Sequence, residues 1–263
     1  MRRISKAAAS IGLIMILCVS ANPLSQVSAA EKGQNIYIAS KNVNKPVSVN
    51  GIQFSVKQNK NDYTKYSLKV KKNGSINIID ENSNNYFITN GTTLFYATVG
   101  KKLGEEKTLN TIWRYDIKNR TKKKVISGIN YTVRQCSGNY LYCGRDNIAD
   151  GINLYAYNLK TARKKHMADV VGSVACSKNR VITSTLLGDA SNGPIYSYRL
   201  NGTGKKKIAT GFFLKSNAKK IYYGRYSLSD HSGKVRIYTC DWNGKNKKPV
   251  TKWLSRIPDK YWN

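Results

Sequence analysis

One period governs this chain. "IWRYDIKNRTKKKV" from Ile112, "LYAYNLKTARKKHM" from Leu154, "IYSYRLNGTGKKKI" from Ile195 and "IYTCDWNGKNKKPV" from Ile237 begin 42, 41 and 42 residues apart. Each opens on an aliphatic–aromatic pair, alternates through a polar stretch and ends in a basic run. A second marker keeps step with the first. "NGTTLFYA", "SGNYLYCG", "SKNRVITS" and "NAKKIYYG" place Leu94, Leu141, Val181 and Ile221 at intervals of 47, 40 and 40. Two unrelated markers on one period define internal repeats, and repeats of this length restrict the fold to stacked supersecondary units.

The units read as β. In one of them "YTVRQC", "YLYCG", "LYAYNL" and "KKHMAD" supply four short segments rich in Tyr, Val and Leu, separated by Gly, Asn and Ser. Four strands of about 5–6 residues leave room for tight turns only. Beyond the N-terminal region no stretch sustains the 3.6-residue apolar period of a helix, which disfavours helical repeats.

The expectation is therefore an all-β β-propeller of about five four-stranded blades, with six as the alternative. The blades fall at about 46–82, 84–128, 129–170, 171–210 and 211–252, the first being degenerate. A flank at 31–45 and a closing segment at 253–263 are too short for a blade each, though together they could build a composite sixth. An open stack of sheets is the rival, and closure is favoured because a ring leaves no exposed ends.

Residues 1–30 read as a signal peptide. Arg2, Arg3 and Lys6 precede the apolar "IGLIMILCV", and "VSA" then "SAA" offer cleavage near Ala29 or Ala30. A nine-residue apolar core is short of the roughly 20 residues that span a bilayer. The expected location is extracellular or cell-wall associated, with no transmembrane segment in the mature chain.

Charge is the second strong feature. The chain holds 45 Lys and Arg against 14 Asp and Glu, and the signal region carries three of the basic residues and none of the acidic ones. Its removal leaves a net charge of +28. Cys136, Cys143, Cys176 and Cys240 remain, either as small buried side chains or in a disulfide.

"LYCGRD…INLYAYNLKTARKK" and "IYSYRLNGTGKKKI" resemble the YWTD-type propellers of low-density lipoprotein receptors, and more closely the bacterial secreted domains named after them. "LYCG", "IYYG" and "LFYA" keep the first aromatic character, and "RLNGTG" and "DWNGKN" keep the turn. The W-T-D portion is absent. The resemblance spans about 200 residues and implies an extracellular interaction module.

With strands named A to D from the axis outward, the A–B and C–D turns share one face of such a disc. The basic runs fall at C–D: Lys122, Lys123 and Lys124; Arg163, Lys164 and Lys165; Lys205, Lys206 and Lys207; Lys247 and Lys248. Lys178, Arg180, Lys219 and Lys220 join them from A–B turns. Repetition turns these runs into a basic ring suited to an anionic cell-wall polymer or acidic glycan, held through counterion release. Edge protection of outer strands is the competing explanation for the lysines. A physiological nucleic-acid partner is not expected outside the cell.

The opposite loops hold Glu105, Glu106, Asp146, Asp150, Asp189 and Asp230, with His231 beside the last. Asp146, Asp150, Asp189, Asp230 and His231 are the candidate ligand-binding set of that face, for which another extracellular protein or peptide is the alternative partner. Ordinary turn chemistry accounts for the same residues.

Enzyme chemistry has little to work with. Two histidines and four mature cysteines lie scattered over different repeats, so no metal site and no cofactor are expected. His166 sits in a basic strand with exposure as its default. Glu105 and Glu106 are adjacent and diverge in an extended segment. Asp150 and Asp189 could face one another as a glycosidase pair, which keeps a glycan-active enzyme as the lesser alternative. The expected function is a non-enzymatic binding module.

Overall fold

The computed structural model describes residues 37–39, 45–147, 151–185, 192–227 and 233–262. The signal region therefore lies outside the described residues, as do Asp150, Asp189, Asp230 and His231. Among the described residues there are nineteen strands and one 3₁₀ turn.

After the two-residue β1 (Ile38–Ala39) the chain builds antiparallel meanders in strict succession. The first sheet contains β2 (Val47–Val49), β3 (Ile52–Gln58), β4 (Tyr66–Lys72) and the first half of β5 (Ser75–Thr89). Its hairpins turn at Asn50-Gly51 and Asn73-Gly74, where all four residues have φ between 49° and 80°. Asn-Gly is the pair that tolerates two successive left-handed residues, so these turns follow directly from sequence. The second sheet takes the rest of β5, then β6 (Thr93–Thr98), a short β7 (Lys102–Gly104), β8 (Lys107–Asp116) and β9 (Thr121–Ile129). The third holds β10 (Tyr131–Ser137), β11 (Tyr140–Asn147), β12 (Gly151–Asn158) and the start of β13 (Lys164–Cys176). The fourth takes the rest of β13 with β14 (Arg180–Thr185), β15 (Gly193–Arg199) and the start of β16 (Lys206–Ser216). The fifth takes the rest of β16 with β17 (Lys220–Tyr226), β18 (Val235–Asp241) and β19 (Lys248–Pro249).

The outer strand of one sheet thus runs on as the inner strand of the next. The hand-over needs a sharp kink, and in three of the four cases it falls on a left-handed residue: Asn130 between β9 and β10, Val170 within β13 and Gly211 within β16. A Cβ on Gly211 would sit 2.2 Å from the Gly224 carbonyl oxygen, so only glycine fits there.

The core lies between the sheets. Phe54 and Leu68 of the first sheet meet Phe87, Leu94 and Tyr96 of the second. Phe95 and Ile112 meet Val133 and Leu141. Tyr142 and Leu154 meet Val181 and Tyr198, and Ile182 and Ile195 meet Ile221 and Tyr223. Neighbours in one strand, such as Leu94 and Phe95 or Val181 and Ile182, thereby serve opposite interfaces. Burial on both faces explains why "LFYA" and "YLYC" are unbroken apolar runs rather than alternating ones.

The two ends of this series are finished differently. β3 and β4 alternate, turning Phe54, Val56, Leu68 and Val70 inward and Gln53, Ser55, Ser67 and Lys69 to the other face. On that polar face Ile76 and Ile78 are 61% and 54% exposed. The fifth sheet is covered instead by the C-terminal segment. Leu254 exchanges two backbone hydrogen bonds with Val235, and Ile257 is buried with Leu214 and Ile237. The Tyr261 ring lies 6.2 Å from that of Tyr222, with Lys215 5.4 Å from both. At the other flank, β1 pairs with β5 along the inner edge of the second sheet. Among the described residues each core cluster joins successive elements, and none joins the first sheet to the fifth.

Candidate functional site

The basic runs are built on a register that the third and fourth strands of the second to fifth sheets repeat. Trp113 faces Lys124, Tyr155 faces His166, Tyr196 faces Lys207 and Tyr238 faces Pro249 across the ladder. Side chains alternate along a strand, so the residue two places before each partner returns to the aromatic face. That residue is Lys122, Lys164, Lys205 or Lys247, always nine positions after the aromatic. Lys122 Nζ lies 4.8 Å from the Trp113 ring, Lys164 Nζ 4.7 Å from Tyr155 and Lys205 Nζ 4.3 Å from Tyr196. These are cation–π contacts. In the fifth sheet Arg225 and Arg236 flank Tyr238 at 5.6 and 5.8 Å.

Each of these aromatics borders the core shared with the preceding sheet. The stacked lysines therefore lie at the seams between sheets. Lys122 also reaches back to Asp80 of the first sheet, 3.2 Å away, whose carboxylate is 8% exposed and accepts the Tyr96 hydroxyl as well. Lys164 donates to the Tyr131 hydroxyl at 2.7 Å, and that bond holds its ammonium above the ordinary lysine range.

The middle residues of the runs point the other way. Lys123, Lys165, Lys206 and Lys248 oppose Arg114, Ala156, Ser197 and Thr239. They are exposed and carry no ion pair or ring contact among the described residues, as is true of Lys124, Arg163, Lys207 and Lys247. Lys178, Lys219 and Lys220 are exposed on neighbouring turns, and Arg180 is half-buried.

Hydrogen bonds to backbone carbonyls bring the two sets of turns together in the second, third and fifth sheets. The Ile117 N–H donates to the Thr92 carbonyl, Leu159 N–H to Asn139, and Trp242 Nε1–H to Asn217. Each links the turn after a third strand to the turn after a first strand of the same sheet. The acids here are occupied by the turns themselves. Asp116 accepts the Asn119 N–H, which with its neighbours pulls that carboxyl below its usual range. Asp241 accepts the Asn243 and Lys245 N–H groups.

Of the opposite-face set, Asp146 lies in β11 across from Ile152. Asp150, Asp189, Asp230 and His231 lie outside the described residues. Glu105 and Glu106 form the tip of the β7–β8 hairpin. His166 is exposed on β13, edge-on to Tyr155 at 5.3 Å and 2.9 Å from Asp169 Oδ1. Among the described residues no three His, Cys, Asp or Glu side chains gather as metal ligands. The four cysteines are free thiols, with Cys136 and Cys143 pushed up to about 12 and Cys240 to about 11 by burial. Protonated and shielded, they are poor nucleophiles.

Sequence reasoning treated each basic run as one unit and missed its division into stacked and outward lysines. The signal was present in the fixed nine-residue spacing between the aromatic and the first lysine in line with it.

No family model matches the chain, and no curated protein does. Solved structures do. The β-propeller domain of the Trilobed protease from Pyrococcus furiosus, which has an open velcro topology, superposes with a TM-score of 0.55 at 13% identity, covering 82% of this chain and 71% of that one. The Pyrococcus horikoshii acylaminoacyl peptidase gives 0.54 at 14% identity, covering 82% and 40%. An oligogalacturonate lyase in complex with manganese gives 0.51 at 10% identity, covering 77% and 62%. The chain thus spans less than two thirds of the last two proteins. Identities this low define a fold and leave function open. The protein has the β-propeller fold.

Proposed function

We propose that the protein is a secreted five-bladed propeller, each four-stranded sheet being one blade, that acts as a non-enzymatic binding module on anionic polymer at the cell surface. The observation that carries this reading is the convergence of unpaired lysines on one end of the sheets. The turns next to Lys123, Lys165 and Lys248 are hydrogen-bonded to the turns after the first strands of their sheets, of which the one in the fifth sheet bears Lys219 and Lys220. Lysine is a point charge on a flexible stem, suited to a repeating phosphate or carboxylate polymer rather than to one rigid ligand. The signal-like N-terminus and the YWTD-type resemblance favour an extracellular setting. The placement of β1 and Leu254 on different sheets favours five blades over a composite sixth.

The test is binding of the mature chain to purified teichoic acid at low salt. Affinity should fall steeply as salt rises to about 0.5 M. Replacing Lys123, Lys165, Lys206 and Lys248 together by Gln should weaken binding and flatten the salt dependence. Salt-independent binding, or none, overturns the reading.

A further inference from the structure

The turns that join the sheets do not close every junction alike. Between the third and fourth sheets the junction is stitched. Ser137 Oγ donates across to the Ser177 carbonyl at 2.9 Å, and the Tyr142 hydroxyl donates to the Leu200 carbonyl at 2.8 Å. The Leu200 side chain fills the space over Gly138.

One repeat later every one of these elements changes. Ser177, the counterpart of Ser137, folds its hydroxyl back to the Arg180 carbonyl of its own turn. Ile182 stands where Tyr142 stood and has no hydroxyl to offer. Trp242 replaces Leu200, with its carbonyl taken by Ser197 and its indole N–H by Asn217. Ser197 still ties the two sheets through the Trp242 carbonyl, but without the serine and tyrosine bonds of the previous junction a cleft of about 510 Å³ opens between the turn 176–180, the turn 216–218 and Trp242-Asn243. That volume lies within the roughly 300–1,000 Å³ of small-ligand sites.

The lining is one-signed. It includes Lys178 and Arg180 and no carboxylate, and neither cation has an ion-pair partner among the described residues. Asp241, the nearest acid in sequence to Trp242, has both oxygens engaged within its own turn. The Asn217 side-chain oxygen is spent on the Lys219 and Lys220 N–H groups, which leaves its amide N–H₂ as a donor. Asn179 and Asn243 add exposed amides. Two cations with neutral amide donors suit an oxyanion carried on a hydroxyl-rich unit.

We propose that this cleft is a discrete subsite for one phosphate- or carboxylate-bearing unit of an anionic carbohydrate chain, with Lys178 and Arg180 as its anion ligands. It rests on the binding reading above but assigns the specific contact to one junction, leaving the outward lysines a diffuse role.

The experiment is an NMR titration of the full mature chain, following the Trp242 indole N–H, which a Trp242→Phe variant assigns. The probes are a short glycerol-phosphate oligomer, a short oligouronate and a neutral oligosaccharide of equal length. A saturable shift with either anionic probe and none with the neutral one supports the subsite, and the anionic probe that shifts identifies phosphate or carboxylate. The affinity should drop about tenfold or more in Lys178→Gln/Arg180→Gln, and in Lys178→Gln alone by a smaller factor. An unmoved indole signal, or unchanged affinity in the double variant, overturns it. Teichoic acid binding that survives in the double variant but fails in the fourfold outward-lysine variant rejects the cleft and keeps the broader reading. A cleft shift without any polymer binding does the reverse.

Discussion

Lys205 stands 4.3 Å from the centre of the Tyr196 ring, nine residues further along the chain and on the same face of the fourth sheet. The lateral partner of Tyr196 on the ladder is Lys207, not Lys205, so the contact is a diagonal one. The pair should couple by about 0.5–1 kcal/mol, the scale of exposed cation–π contacts. A double-mutant cycle of Lys205→Gln and Tyr196→Leu in urea unfolding measures it. Lys206→Gln should leave stability within about 0.5 kcal/mol of the parent, as surface changes do.

Val170 turns the chain from the third sheet into the fourth with φ of 55°, a conformation that a β-branched side chain resists. Val170→Asn should stabilise the protein by about 1 kcal/mol, since asparagine tolerates that region. Gly211→Ala should destabilise by more than about 1 kcal/mol because the new methyl meets a carbonyl. Thermal unfolding of the two variants should move in opposite directions.

The thiols give a pH signature. Cys136 and Cys143 are raised to about 12 and Cys240 to about 11 in the folded chain, against about 8.5 when unfolded. Raised acids bind more protons in the folded state, so their contribution is complete below the unfolded value and is lost as pH climbs through the folded one. Stability should therefore fall between about pH 9 and 12, less steeply in a Cys143→Ala variant compared with its own value at pH 7. Thiol reagents at pH 8 should react with the native chain far more slowly than with the unfolded one.

The C-terminal segment hides an apolar face. Ile257→Ala should cost about 2 kcal/mol, the lower part of the range for buried aliphatics. Ending the chain at Thr251 bares Leu214, Val235 and Ile237, and light scattering should then report self-association.

Much of this molecule was legible in the sequence because the period fixes strand order, and apolar spacing fixes burial. Leu94 to Ala97 reads as a strand covered on both faces, and "IQFSVKQ" reads as covered on one. The single-sided pattern of β3 and β4 sets the first sheet apart from the others. The division of the lysines was harder, because it depends on whether Tyr196 faces residue 205, 206 or 207, and bulges shift that register. The cleft was not legible at all. Ser137 and Ser177 are the same residue at the same point of the repeat, and the opposite directions of their hydroxyls, which the sequence does not carry, act together with the exchange of Tyr142 for Ile182 to separate the two junctions.

The core clusters that link each sheet only to its neighbours, among the described residues, make the molecule a row of coupled units rather than a single block. In such a row damage stays near where it is done. Loosening Leu68 in the first sheet should raise amide exchange in the first two sheets and leave β17 and β18 as slow as before. The lysine-bearing turns of the fifth sheet are in that sense insulated from the opposite end of the chain.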